Sequence, residues 1–385
     1  MRETPNPRVI AWAIDRCHKT PEDLKNSVSP RVRQWIEGIG KPPTAKQVEK
    51  LAKATHVLMP YFYEDEIPKL SLQIPDYRTT DSSSPTDPSP ELYDVINQML
   101  SRQDWLSGYL EDSGSEPLGF VGACADSTDV AACAATMRDL LGLQPGWARG
   151  MSRDAAVRTL RGTLERTGVY VYAGSYYGNS TKRLFDVQEF RGFVLSDRYA
   201  PVIFLNTRDA YSAQLFTLAH EFAHLLFGET GVDDALACVA DRSVESKCDD
   251  LAAEFLVPAA MVHEIFGQMD VDAALEELGK ATKTSDIVCL RRGRDLGWIG
   301  RTEFNERYRS YAADLAEALG RKASGEGRGG PGFYTMQKNH LGALFPETVY
   351  RALKSEYLLY SDAYRLTGMR AKSFKEFFQR EGMYV

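Results

Sequence analysis

The stretch Thr217 to Gly228, TLAHEFAHLLFG, constrains this chain more than any other. It sets His220, Glu221 and His224 in the spacing HExxH. A helix turns about 100° per residue, so residues four apart share a face. Two imidazoles on one face can grip a single zinc ion from the same side. A glutamate directly after the first His stands where a carboxylate can take a proton from water held at that ion. Leu215, Leu218, Phe222, Leu225 and Leu226 fall on the opposite face. The helix can therefore bury one side and offer a metal site on the other.

A zinc site of this kind needs a third protein ligand and one open position. The longer form HExxHxxGxxH is absent, because Phe227 stands where its Gly would be and Thr230 where its last His would be. Downstream, VESKCDDLAAEFLVP (Val244 to Pro258) reads as a second helix stopped by Pro258. Glu245 and Asp249 lie four apart on it and share a face. Glu245 is the preferred third ligand, and Asp249 would then accept a hydrogen bond from the free ring nitrogen of a metal-bound His. Asp241 and Cys248 are rival ligands, and Cys248 points elsewhere if Glu245 and Asp249 face the metal.

HEFAH, then ExxxD, then LAAEFLVP resembles the ImmA/IrrE family of metallopeptidases, and ExxxD after HExxH is the gluzincin arrangement. The approach to the helix is similar too: RGFVLSD (Arg191 to Asp197), then the Pro-led strand APVIFLN (Ala200 to Asn206). The resemblance implies zinc as cofactor, with ligands at His220, His224 and Glu245 and Glu221 as general base. It also implies a substrate that is a DNA-bound regulator or an antitoxin, cut under stress or in a mobile-element, toxin–antitoxin or phage-defence setting.

The 385 residues allow two or three domains. No run of 18 apolar residues exists, and the first 16 residues lack the long apolar core of a signal peptide. Six Cys without CxxC pairs suit reduced thiols, so a cytoplasmic setting is expected. The charge is uneven. Residues 1–60 hold 11 Lys or Arg against 6 Asp or Glu, and residues 301–385 hold 14 against 10; of the net −7, the middle therefore carries −16. Any contact with nucleic acid is expected at the basic ends.

Residues 7–65 read as a small all-helical domain. The pattern predicts helices from Pro7 to Cys17, from Thr20 with Pro21 following, from Ser29-Pro30, and after Thr44. This segment resembles the helix-turn-helix domain of XRE-type repressors. The resemblance makes residues 29–38 the recognition helix, with Arg31, Arg33 and Gln34 near bases or phosphates. The segment DLKNSVSP departs from that pattern by being about two residues short and lacking the Gly of the turn. A helical module that docks a protein is the competing reading.

Residues 78–90, RTTDSSSPTDPSP, have linker composition, and 91–114 read as one amphipathic helix. Helical patterns follow at 128–142 and 152–167, with strand patterns at 168–174, 191–197 and 200–206. In zincins an edge strand above the metal pairs with an extended substrate, and 192–195 or 202–206 is expected to be that strand. The polar aromatic loop SYYGNSTKR (Ser175 to Arg183) lies near the expected cleft. Residues 270–310 resemble a second helix-turn-helix and carry a cluster of Arg291, Arg292 and Arg294. Gly320 to Phe333 is Gly-rich but lacks the ending of a phosphate loop. Ser361 to Phe378 reads as helix, Gly turn, helix, with Arg370, Lys372 and Lys375 placed to touch nucleic acid or a partner. His263 and His340 are isolated and read as ordinary residues.

The expected fold class is α+β: a zincin-like metallopeptidase domain flanked by all-α helix-turn-helix-like domains. The expected divisions are 1–77, 78–116, 117–268, 269–320 and 321–385. The expected function is a zinc endopeptidase acting on a repressor or antitoxin. DNA through the N-terminal domain and a second copy of the chain are further candidate partners, and no membrane partner is expected. The alternative is a DNA-binding regulator or antitoxin whose zinc site is structural or sensory.

Overall fold

The computed structural model describes residues 2–17, 19–70, 72, 88–233, 244–311 and 332–384. Most of the expected linker, most of the Gly-rich stretch, and the rival ligand Asp241 lie outside these residues. The chain divides into two compact units. The first comprises Met1–Gln73, Ser82–Gln98 and Ser180–Leu184; the second comprises Ile74–Asp81, Met99–Asn179 and Phe185–Val385.

The first unit is helical. Its helices are α1 (Pro7–Asp15), α2 (Val32–Ile36) and α3 (Ala45–Thr55), followed by a 3-10 turn at Met59–Tyr63. Asn6 caps α1 by accepting from the Arg8 N–H, and Pro7 opens it. The N–H of Thr44, ahead of α3, donates to Gln47 Oε1 at 2.9 Å, one half of a capping box. Val9, Ile10, Val32, Trp35, Val48, Leu51 and Phe62 form the core.

Two expectations change here. Thr20 to Val28 runs as turns, not as a helix. Thr20 and Asp23 close one turn on each other, through Thr20 N to Asp23 Oδ2 at 2.7 Å. Ser29 Oγ accepts from Arg31 N, which holds a second turn. The helix expected over 29–38 begins only at Val32 and ends at Ile36. Arg31, Arg33 and Gln34 are exposed, and Val32 and Trp35 are buried beneath them.

Helix α4 (Pro90–Asp112) has its first turns in the first unit and the rest in the second. Arg183 pairs with Glu91 at 2.9 Å and Asp94 at 2.7 Å on those first turns.

The second unit is built on a four-stranded sheet in the order β1-β3-β2-β4. The strands are β1 (Tyr170–Gly174), β2 (Gly192–Leu195), β3 (Val202–Asn206) and β4 (Gly231–Asp233). β1 runs parallel to β3, and β2 is antiparallel to both β3 and β4. Side chains alternate faces along a strand. Val171, Ala173, Val194, Ile203 and Leu205 join the main core with α6 (Arg153–Arg166) and α7 (Tyr211–Phe227). Tyr170, Tyr172, Phe193 and Phe204 take the other face. There Phe193 stacks on Phe204, Tyr172 meets Phe345, and the Tyr170 hydroxyl bonds Thr348. Both faces are covered, so these strands are buried at every position of β1, β2 and β3.

The remaining helices are α5 (Val130–Leu141), α8 (Val244–Leu256), α9 (Ala259–Phe266), α10 (Val271–Thr282), α11 (Asp286–Asp295) and α12, described over 301–311. They are followed by α13 (Phe333–Leu341), α14 (Leu344–Lys354), α15 (Tyr360–Thr367) and α16 (Ala371–Arg380). This is mixed α and β structure, mostly helical, consistent with the expected α+β class. Among the described residues no helix is long and apolar enough to cross a membrane.

Candidate metal centre

Helix α7 is wrapped more completely than an amphipathic pattern requires. Every residue from Gln214 to Phe227 is buried except Phe216. Its apolar side meets the core, and its His side is covered chiefly by α8. Burying polar groups this deeply is costly unless they are partnered, and α8 brings a carboxylate to the two His. Glu245 Oε2 lies 3.2 Å from His220 Nε2, and Glu245 Oε1 lies 3.4 Å from His224 Nε2. The two Nε2 atoms are 3.0 Å apart.

Three donors thus converge on one point, and His220, His224 and Glu245 could hold a metal ion. Ligands about 2.05 Å from a tetrahedral zinc sit roughly 3.3 Å from one another, so the observed spacings suit such an ion. On the far side of the His220 ring, Nδ1 lies 3.0 Å from Asp249 Oδ1. A carboxylate at that position suits the tautomer whose Nε2 lone pair faces the shared point. Burial raises the Glu245 carboxyl, but its hydrogen bonds to His220 and His224 outweigh this and hold it well below the usual carboxylate range. Burial lowers His224, against the pull of Glu245. Both shifts favour the forms that bind a cation.

Cys248 lies one turn along α8, buried, and is not among the converging donors. Burial pushes its thiol far up, which disfavours the thiolate a metal would need. Thr230 accepts from the Ser196 N–H at 2.8 Å and ties the end of α7 to the end of β2.

Glu221 is fully buried beside the His pair. The strand β2 approaches it at Gly192, where a Cβ would stand 2.9 Å from Glu221 Oε1, 2.6 Å from Thr217 Cγ2 and 3.0 Å from the Phe204 carbonyl. The role of Gly192 in clearing space for the carboxylate was not singled out from sequence. The only signal was a Gly at the head of an otherwise apolar strand.

The sheet order corrects one expectation. Residues 192–195 and 202–206 are both interior strands, because β2 lies between β3 and β4, and β3 between β1 and β2. The edges are β1, against which α13 and α14 pack, and β4, paired to β2 with Asp233 opposite Gly192.

Two other sequence features have internal roles. Tyr176 in the 175–183 loop contacts Met336 and His340, and Asn179 contacts Gln337 and the Gly368 carbonyl. The Arg cluster is dispersed: Arg292 pairs with Glu254 and bonds the Val257 carbonyl, Arg291 lies over Tyr308, and Arg294 lies over Phe304. His263 accepts from Trp298 Nε1. Arg31, Arg33 and Gln34, the expected DNA contacts, belong to the first unit.

Residues 165–292 match the peptidase M78 family model, described as an IrrE N-terminal-like domain. The match runs from the end of α6 into α11 and includes every residue of the candidate metal cluster. Residues 341–380 match a domain of unknown function, DUF8813. No curated protein matches the chain.

Proposed function

We propose, on the similarity of residues 165–292 to a metallopeptidase family, that this chain is a zinc-dependent endopeptidase that cuts a regulatory protein, a repressor or an antitoxin. The observation that carries the reading is the convergence of His220, His224 and Glu245 beside the buried carboxylate of Glu221. A purely structural metal has no use for that carboxylate. Bound zinc would supply a Lewis acid for the scissile carbonyl and lower the pKa of water. His220, His224 and Glu245 would hold it, and Asp249 would orient His220. Glu221 takes the proton from the attacking water and delivers it to the leaving amine. An extended substrate adds to the sheet at β4, the edge nearest Gly192.

The test combines metal content with cleavage, using the purified full chain and DNA-bound regulators encoded beside it. Wild type should bind one zinc and cut one of them. Glu221→Gln should keep the metal and lose cleavage. Glu245→Ala should lose the metal, and Asp249→Ala should bind it about 10–100-fold more weakly. If Glu221→Gln retains its zinc and full biological effect, catalysis is not the function, and a regulator with a sensory or structural zinc replaces this reading.

A further inference from the structure

We propose that α15 and α16 form a helix-turn-helix that places α16 in the major groove of duplex DNA. These helices lie in the segment that matches a domain of unknown function, so the proposal stands apart from the peptidase reading.

The geometry begins with the turn. Three residues, Gly368, Met369 and Arg370, join α15 to α16. Gly368 sits at φ +70°, a conformation that side-chain-bearing residues resist. A short turn with Gly at its start is the hallmark of this motif. Counting Tyr360 as the first residue, the fourth, eighth, tenth, fifteenth and eighteenth are Ala363, Thr367, Met369, Phe374 and Phe377. All five are at most 3 % exposed. They lock the two helices together, with α14 packed against α15 as a third.

That packing decides what α16 shows to solvent. Phe374, Phe377 and Phe378 all point inward, so the outer face offers no large apolar side chain for a protein partner. Arg370, Lys372, Lys375 and Gln379 are exposed instead. Nearby cations are already answered, Arg365 by Asp362 and Arg380 by Glu376. Arg370, Lys372 and Lys375 have no ion pair among the described residues. They gather at the start of α16, the end that meets base edges and phosphates in this class of motif. An open groove of about 450 Å³ lies there, lined by Tyr360, Tyr364, Ala371, Lys372, Phe374 and Lys375. Lysines together with tyrosine hydroxyls suit a phosphate backbone. At ten residues α16 is about 15 Å long, enough to lie in a major groove, whereas α2 has only five residues.

The experiment uses the full chain and a labelled mixed-sequence duplex about three helical turns long, titrated by fluorescence anisotropy over a range of salt. Lys372→Ala/Lys375→Ala should weaken binding roughly tenfold at low salt. It should also make the slope of log K against log salt shallower by about 2. Its zinc content and thermal unfolding should match wild type, and Lys372→Arg/Lys375→Arg should restore binding. Three results would overturn the proposal: no duplex binding by wild type at low salt, binding lost in Arg31→Ala/Arg33→Ala but intact in Lys372→Ala/Lys375→Ala, or tighter binding to the single strand than to the duplex.

Discussion

At Gly192 a single methyl group would reach the centre. A Cβ there meets Thr217 and Glu221 at distances no relaxed contact allows, and the third neighbour is a backbone carbonyl that cannot step aside. Gly192→Ala should therefore cost about 1–3 kcal/mol through overpacking and displace the Glu221 carboxylate. Cleavage should fall far more than zinc binding, because the three candidate ligands lie on α7 and α8 and not on β2. Measured zinc content and cleavage rate on the same sample separate the two effects. Equal losses in both would mean that the strand supports the ligands themselves. His220, Glu221 and His224 were readable because their spacing is a property of one helix. Glu245 was readable only as a choice among rivals, since it comes from another helix.

At the scale of elements, α8 is held by two largely buried ion pairs as well as by packing. Glu254 lies between Arg138 of α5 and Arg292 of α11, with all three side chains no more than 14 % exposed. Glu254→Gln removes the carboxylate that both guanidinium groups share. Removing one partner of such a pair costs about 3–5 kcal/mol, so the melting temperature should drop markedly. Because α8 carries Glu245, zinc affinity should drop with it. A second element carries a pH dependence. His340 on α13 is pushed down to about 4, by burial first and then by Arg102 and Arg161. Its folded pKa lies below the unfolded value near 6.5, so the unfolded chain binds the proton more readily between those values. Stability contributed by neutral His340 is full above pH 6.5 and declines as pH falls toward 4, by about 2–3 kcal/mol. In denaturant titrations at pH 7 and pH 4.5, His340→Leu should lose less stability on acidification than wild type. An identical loss would place the acid sensitivity elsewhere.

At the scale of the second unit, its C-terminal helices complete the fold. The Tyr170 and Tyr172 face of the sheet is closed by Phe345 and Thr348, and Arg161 bonds the Asn339 carbonyl. Arg102 of α4 lies over both Tyr172 and Phe345 and bonds the Leu366 carbonyl. A chain ending before Phe333 should expose this aromatic face, bind a hydrophobic dye and aggregate, even though every candidate metal ligand is retained. A soluble, cooperatively unfolding truncation would show that the sheet needs no such cover.

The sequence by itself determined whatever repeats within one element. Helices α5 to α8 and strands β1 to β3 follow from local period, caps and breakers, and so does the shared face of Glu245 and Asp249. At Thr20 and Ser29 the side chains make the contacts of a helix N-cap, yet the chain after them runs as turns, and there the local pattern misled. Tertiary structure alone decided the rest. Strand order is set by which edges pair across long stretches of chain, and no local period records it; this is why β2 and β3 proved interior. The fate of Arg292 depended on Glu254, 38 residues away. The clearance at Gly192 depended on a helix that comes later in the chain. Each of these is a contact between elements, and its energy arises only once the chain has brought both partners together.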